Sequence, residues 1–186
     1  MNKELRDLIE GDRTRNYGKT KLSLHESWMK PPQIKYLECY RKAAFYGKKT
    51  VRGIWFRLRL SRLSNHTQIQ IPTAATIGKG LYIGHFGRII LHPEVVLGNN
   101  VNLSTGITIG TTRRGDKKGT PVIGNEVWIG TNAVIVGSIT IGDDVLIAPN
   151  AYVNTDIPAH SIVLGNPAVI HHSDKATDGY INHKVI

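Results

Sequence analysis

Apolar residues return every six positions through the middle and late parts of this chain, and that rhythm limits the fold more than any other feature. From Ile71 the beat falls on Ile77, Ile83 and Ile89, slips by two residues to Leu91, and continues at Leu97, Leu103 and Ile109. The segment T-T-R-R-G-D-K-K-G-T interrupts it, and it returns at Ile123, Ile129, Ile135, Ile141, Ile147 and Val153. Six is not a helical period, and it is too long for simple strand alternation. It fits a parallel β-helix in which each hexapeptide supplies a short strand and a turn. The aliphatic residue points inward, and stacked aliphatics form one continuous core. Glycine often follows the aliphatic residue, at Ile77, Ile83, Ile109, Ile123, Ile129 and Ile141. Asn99-Asn100 and Asp143-Asp144 stand where tight turns need them. A rod of this kind needs its ends capped.

Upstream of the repeats the texture is helical. Leu5, Leu8 and Ile9 share one face of a short helix expected to stop at Gly11-Asp12. Pro31-Pro32 is a break with a helix starting just after it. Residues 33–64 read as helical, in two pieces meeting near Gly47. In the second piece Val51, Ile54, Trp55 and Leu58 recur at i, i+3, i+4 and i+7. That stripe is expected to pack on the rest of the protein and leave a solvated basic face. The expected division is a basic helical unit over 1–65, a β-helix over 66–170 and a tail over 171–186. The helical unit is expected to close one end of the rod, and the C-terminal segment, with Pro158 and Pro167, the other.

The net charge of +10 is placed unevenly. Residues 1–65 hold 16 Lys+Arg against 6 Asp+Glu, whereas residues 66–186 hold 8 of each. The excess therefore belongs to the helical unit and raises a second reading for residues 33–64, attachment to an anionic membrane surface or a lipid-diphosphate-linked substrate. No nucleic-acid motif accompanies the charge, so nucleic acid is not an expected partner. One cysteine, Cys39, excludes an intramolecular disulfide. The histidines lack ligand spacing, so no metal site is expected. With no leader-like N-terminus and no apolar run of membrane-spanning length, the expected location is cytoplasmic, with residues 33–64 allowing a peripheral place at the inner face of the membrane.

Four stretches resemble the hexapeptide-repeat acyltransferases with a left-handed β-helix, and most closely their serine-acetyltransferase-like branch. They are I-G-K-G-L-Y-I-G-H-F-G from Ile77, V-N-L-S-T-G-I-T-I-G-T-T from Val101, I-G-N-E-V-W-I-G-T-N-A-V-I-V-G from Ile123, and G-N-P-A from Gly165. The resemblance runs from about residue 69 to 168. It implies a trimeric rod with active sites between neighbouring copies, acetyl-CoA as donor and a hydroxyl as acceptor. By position it makes His85 the general base. It puts Gly110 and Thr111 near the thioester, and Thr131 and Pro149 along the pantetheine arm.

The departures from that branch bear on the acceptor. The family places an aspartate before the catalytic histidine, a second aspartate fifteen residues upstream, and a second histidine before a proline after the long loop. Here those positions hold Gly84, Gln70 and Thr120. The base is kept while the groups expected to hold serine are missing. The sequence-level expectation is thus an O-acetyltransferase acting on a sugar of capsule, exopolysaccharide or lipopolysaccharide synthesis. The alternatives are serine O-acetylation in cysteine biosynthesis and a non-catalytic trimeric β-helix scaffold. Either a backbone carbonyl or the Gln70 amide is expected to orient His85. Trp128 is expected to pack between subunits.

Overall fold

The computed structural model describes residues 2–186. Four helices come first: α1 (Lys3–Tyr17), α2 (Leu24–Trp28), α3 (Pro32–Tyr46) and α4 (Val51–Thr67). Asn2 caps α1 by accepting the Glu4 N–H, and Gly18 ends it at φ 70°. The expected stop at Gly11-Asp12 does not occur, because tertiary contacts outweigh the local signal. A β-carbon on Gly11 would lie 3.3 Å from the Lys79 side chain, so glycine lets the helix lie close against the coil. The buried Asp12 carboxylate accepts two hydrogen bonds from Arg41, at 2.8 and 3.0 Å, and one from the Leu81 N–H at 2.9 Å. The segment before Pro31 contains α2, opened by a reciprocal Ser23–Glu26 capping box.

The break near Gly47 is present, but the α4 stripe faces the wrong way for the sequence expectation. Val51 is 86% exposed, Ile54 51%, Trp55 52% and Leu58 62%. It is Gly53 and Leu60 that are buried, with Phe56 and Leu63 packed against the core beside them. Periodicity identified an amphipathic helix without identifying which of its two apolar edges meets the protein.

Fifteen strands follow: β1 (Ile69–Gln70), β2 (Thr76–Ile77), β3 (Tyr82–Ile83), β4 (Ile89–Leu91), β5 (Val96–Leu97), β6 (Asn102–Leu103), β7 (Thr108–Gly110), β8 (Val122–Ile123), β9 (Val127–Ile129), β10 (Val134–Val136), β11 (Thr140–Ile141), β12 (Val145–Ile147), β13 (Tyr152–Val153), β14 (Ser161–Leu164) and β15 (Val169–His172). Up to β13 every third strand stacks in parallel, giving three sheets: β1-β4-β7-β10-β13, β2-β5-β8-β11, and β3-β6-β9-β12, the last continued by β14 and then by antiparallel β15. This is the expected parallel β-helix, a three-sided prism. The aliphatic beat lies inside it, with Ile83, Ile109, Ile129, Ile135 and Ile147 fully buried.

Coil length records the irregularities. Gln70 pairs with Ile90, 20 residues on, whereas Ile90 pairs with Thr108, 18 residues on. The two extra residues of the first coil enlarge the turn between β3 and β4. Thr108 pairs with Val134, 26 residues on, because the loop after β7 is inserted there.

Strand edges at the end of a β-helix expose unpaired backbone groups. Side chains of α3 occupy them at the first coil. The Tyr36 hydroxyl accepts the Ile71 N–H at 3.0 Å, and the Tyr40 hydroxyl donates to Ala75 O at 3.2 Å. Arg41 donates to the carbonyls of Ile77 and Gly78 at 2.7 and 2.6 Å. Tyr36, Leu37, Tyr40, Ala43 and Leu60 share one hydrophobic core with the coil aliphatics. At the other end β15 pairs antiparallel with β14. The chain beyond it does not close that end as expected. It returns along the prism, with Thr177 at Asp144, Tyr180 at Trp128 and Val185 at Asn100.

Candidate active site

One corner of the prism gathers three of the five expected site residues. Tyr82, Asn102, Trp128 and Leu146 occupy one column of the third sheet, in register from coil to coil. Three residues after each come His85, Thr105, Thr131 and Pro149, the turns of four successive coils. His85, Thr105 and Thr131 line one hollow with Tyr82, Gly84, Asn102, Ser104 and Trp128. No Asp, Glu, Lys or Arg lines it.

The enlarged turn that carries His85 is held from the helical unit. Gln33 of α3 donates through Nε2 to Gly84 O at 2.9 Å, and the Gly87 N–H donates to Thr67 O, at the end of α4, at 2.9 Å. The Phe86 ring stacks on His66 with centroids 6.5 Å apart. These contacts brace the backbone on both sides of His85 and leave its imidazole exposed. Gln70 lines a different hollow with Arg57, Ser61 and Ser64. The expected Gln70–His85 hydrogen bond is not formed, because Gln70 lies beside Ile90 on the sheet while His85 stands at the corner. A β-carbon on Gly84 would meet the Tyr82 ring at 3.1 Å, so a side chain there would share space with Tyr82.

Gly110 and Thr111 lie elsewhere. They sit at the far end of β7, one prism side away from the His85 corner. At about 3.3 Å per residue this side is roughly 15 Å long. Space is open at Gly110, where a β-carbon would find its nearest neighbour, a Val136 methyl, at 3.8 Å. The following loop is a hairpin closed by paired Thr112–Gly119 backbone hydrogen bonds, both 3.0 Å. Arg113, Arg114 and Lys118 are exposed on it, and Lys117 pairs with Asp156. Thr120, at the second-histidine position, donates to Glu94 O at 3.3 Å.

Tyr82, Asn102 and Trp128 were missed as lining residues, although each immediately precedes an inward aliphatic residue, so the outward column is readable once coils are aligned. Trp128 stands against Tyr180 of the returning segment, 5.0 Å between centroids. Arg15 of α1 reaches the same column, donating to Gly80 O at 3.3 Å and to Asn102 Oδ1. Burial pulls its pKa below the ordinary value, against the opposing pull of Tyr82 and Glu126. Among the described residues no three His, Cys, Asp or Glu converge as a metal-binding group.

Comparison with known proteins places this architecture. Residues 120–155 match the family described as bacterial transferase hexapeptide (six repeats). The chain is 36% identical to a serine acetyltransferase of Helicobacter pylori over 138 residues, covering 74% of this chain and 80% of that one. Among solved structures it is similar to a Neisseria gonorrhoeae serine acetyltransferase in complex with serine. The TM-score is 0.73 at 27% identity, covering 91% of this chain and 70% of that one. It is also similar to a Brucella abortus serine acetyltransferase in complex with coenzyme A, with a TM-score of 0.72 at 27% identity, covering 91% of this chain and 66% of that one. With the repeat fold, the histidine corner and this extent of identity together, the chain belongs to the serine acetyltransferase family of hexapeptide-repeat acyltransferases.

Proposed function

We propose that this protein transfers an acetyl group from acetyl-CoA to a hydroxyl, with His85 as general base. The observation that carries the proposal is the exposed imidazole on a braced, enlarged turn, above a column of turns that includes Thr131 and Pro149. In the reaction His85 takes the hydroxyl proton as the oxygen attacks the thioester carbonyl. The tetrahedral oxyanion collapses, the C–S bond breaks, and the imidazolium returns the proton to the departing thiolate. Gly110 and Thr111 are the assigned backbone contacts near the thioester. Thr131 and Pro149 are assigned to the pantetheine arm. Because Gly110 and His85 stand one prism side apart, the proposal includes a homotrimer in which one site takes His85 from one copy and Gly110 from its neighbour.

L-Serine is the acceptor that the relatives support best, given 36% identity over four-fifths of a serine acetyltransferase and the fold match to a serine complex. A sugar hydroxyl is the second reading, favoured by the uncharged lining of the hollow and by Gln70, Gly84 and Thr120 at positions where the family resemblance expects charged or titratable groups. CoA release measured with L-serine and with sugar acceptors separates the two: saturable serine turnover upholds the first reading, and turnover with sugars alone upholds the second. His85→Ala is expected to lower kcat about 10²–10⁴-fold without unfolding the protein. A silent variant would return the chain to the scaffold reading.

A further inference from the structure

The exposed stripe of α4 belongs to a larger surface. Leu24, Trp28 and Met29, on and just after α2, are also exposed. Ser27 and Lys30, which flank Trp28 and Met29, line one hollow with Lys35, Glu38, Cys39, Lys42, Phe56 and Arg59, four cations against one carboxylate. The end of α2 and the outer face of α4 therefore border the same basic depression. Exposed Trp28, Met29 and Trp55 each adjoin one of its lining residues in the chain.

The charge on this surface is predominantly positive. Between residues 39 and 93 the chain has no Asp or Glu. Over 39–65 alone it has eight cations: Arg41, Lys42, Lys48, Lys49, Arg52, Arg57, Arg59 and Arg62. Arg41 is occupied by Asp12. Three others lie over aromatic faces: Lys42 over Phe56, Arg52 over Tyr46 and Arg59 over Trp55. The nearby acids are already engaged, Glu38 by Lys30 and Arg13, and Glu26 by Lys19.

We propose that this face docks the protein on an anionic phospholipid bilayer. Trp28, Ile54, Trp55 and Leu58 enter the headgroup boundary, while Lys42, Lys48, Lys49, Arg52, Arg59 and Arg62 meet lipid phosphates. The chemistry matches an interfacial amphipathic helix, in which large apolar residues and cations alternate around one exposed surface. A second copy is a poorer occupant, because a two-fold contact apposes a patch with itself and would set these cations against each other. A nucleic acid matches the charge but offers no burial for Val51, Ile54 and Leu58. The inference goes beyond acetyl transfer and does not depend on it.

The test is co-sedimentation of the full chain with phosphatidylcholine vesicles and with phosphatidylcholine–phosphatidylglycerol vesicles, without acetyl-CoA. Binding to the anionic vesicles is expected to exceed binding to the neutral ones about ten-fold or more at low salt and to fall away at high salt. Tryptophan emission should shift to the blue on binding. The pairs Trp55→Ser with Leu58→Ser, and Arg59→Gln with Arg62→Gln, should each weaken binding about ten-fold while leaving CoA release unchanged. Equal affinity for both vesicles, or none at low salt, overturns the proposal. So does self-association in light scattering that the Trp55/Leu58 pair abolishes, which assigns the face to a second copy. RNA binding without vesicle binding, lost only in the arginine pair, assigns it to nucleic acid and overturns the proposal equally.

Discussion

At Gly84, next to the base, the absence of a carboxylate can be given a physical cost. A neighbouring carboxylate orients an imidazole and favours its protonated form, which helps a base that must hold a proton in the transition state. Here the turn is held instead through its backbone, by Gln33 at Gly84 O and Thr67 at the Gly87 N–H. Placing a carboxylate beside the base with Gly84→Asp is expected to raise kcat/KM for L-serine about ten-fold. The Tyr82 ring must yield by a few tenths of an ångström, since the new β-carbon arrives 3.1 Å from it. Steady-state kinetics of CoA release with serine would check this, and an unchanged constant would mean that this position does not limit serine use. His85, Thr131 and Pro149 were site candidates through the family resemblance, and the hexapeptide register accounts for their sharing one corner, each three residues after a member of one column. Gln33 was not, because its partner is 51 residues away and a glutamine at the start of a helix carries no local mark.

Among the elements, strands were far more legible than helix faces. A hexapeptide strand turns alternate residues inward, as Val127 and Ile129 do, so the aliphatic beat determines both its presence and its orientation. A helix such as α4 carries apolar residues around more than one edge, and which edge is buried depends on what lies beside it. The segment after β15 depended likewise on a distant partner. Asp144 accepts from the Thr177 N–H at 3.0 Å, the Thr177 hydroxyl at 2.6 Å and the Ala176 N–H at 3.1 Å, and His160 Nδ1 stands 3.0 Å away. Partial burial raises its pKa, but these hydrogen bonds outweigh that and hold it below the ordinary value. A carboxyl that titrates lower folded than unfolded stabilises the docked segment fully above about pH 4, and the contribution disappears as pH falls through the lowered value. Protease cleavage within residues 173–186 is therefore expected to accelerate in acid below that point. Asp144→Asn should show faster cleavage already at neutral pH and little further change in acid.

For the whole molecule, the division of the assigned site between two corners has a consequence for assembly. If one site takes His85 from one copy and Gly110 from the next, then His85→Ala and Gly110→Trp chains, each inactive alone, should recover activity when refolded together. A site contained within one chain would recover none. Light scattering should give the trimer mass. The six-residue repeat by itself determined the parallel prism, its inward residues, the two-residue slip before Leu91 and the loop after Ile109, because every coil must return its aliphatic residues to one axis. The tertiary structure alone decided that α3 closes the first coil, that α1 runs through Gly11-Asp12, that the α4 stripe faces outward and that the last residues double back. Those outcomes rest on buried polar partners such as Asp12–Arg41 and on surfaces far apart in sequence, which no local pattern encodes.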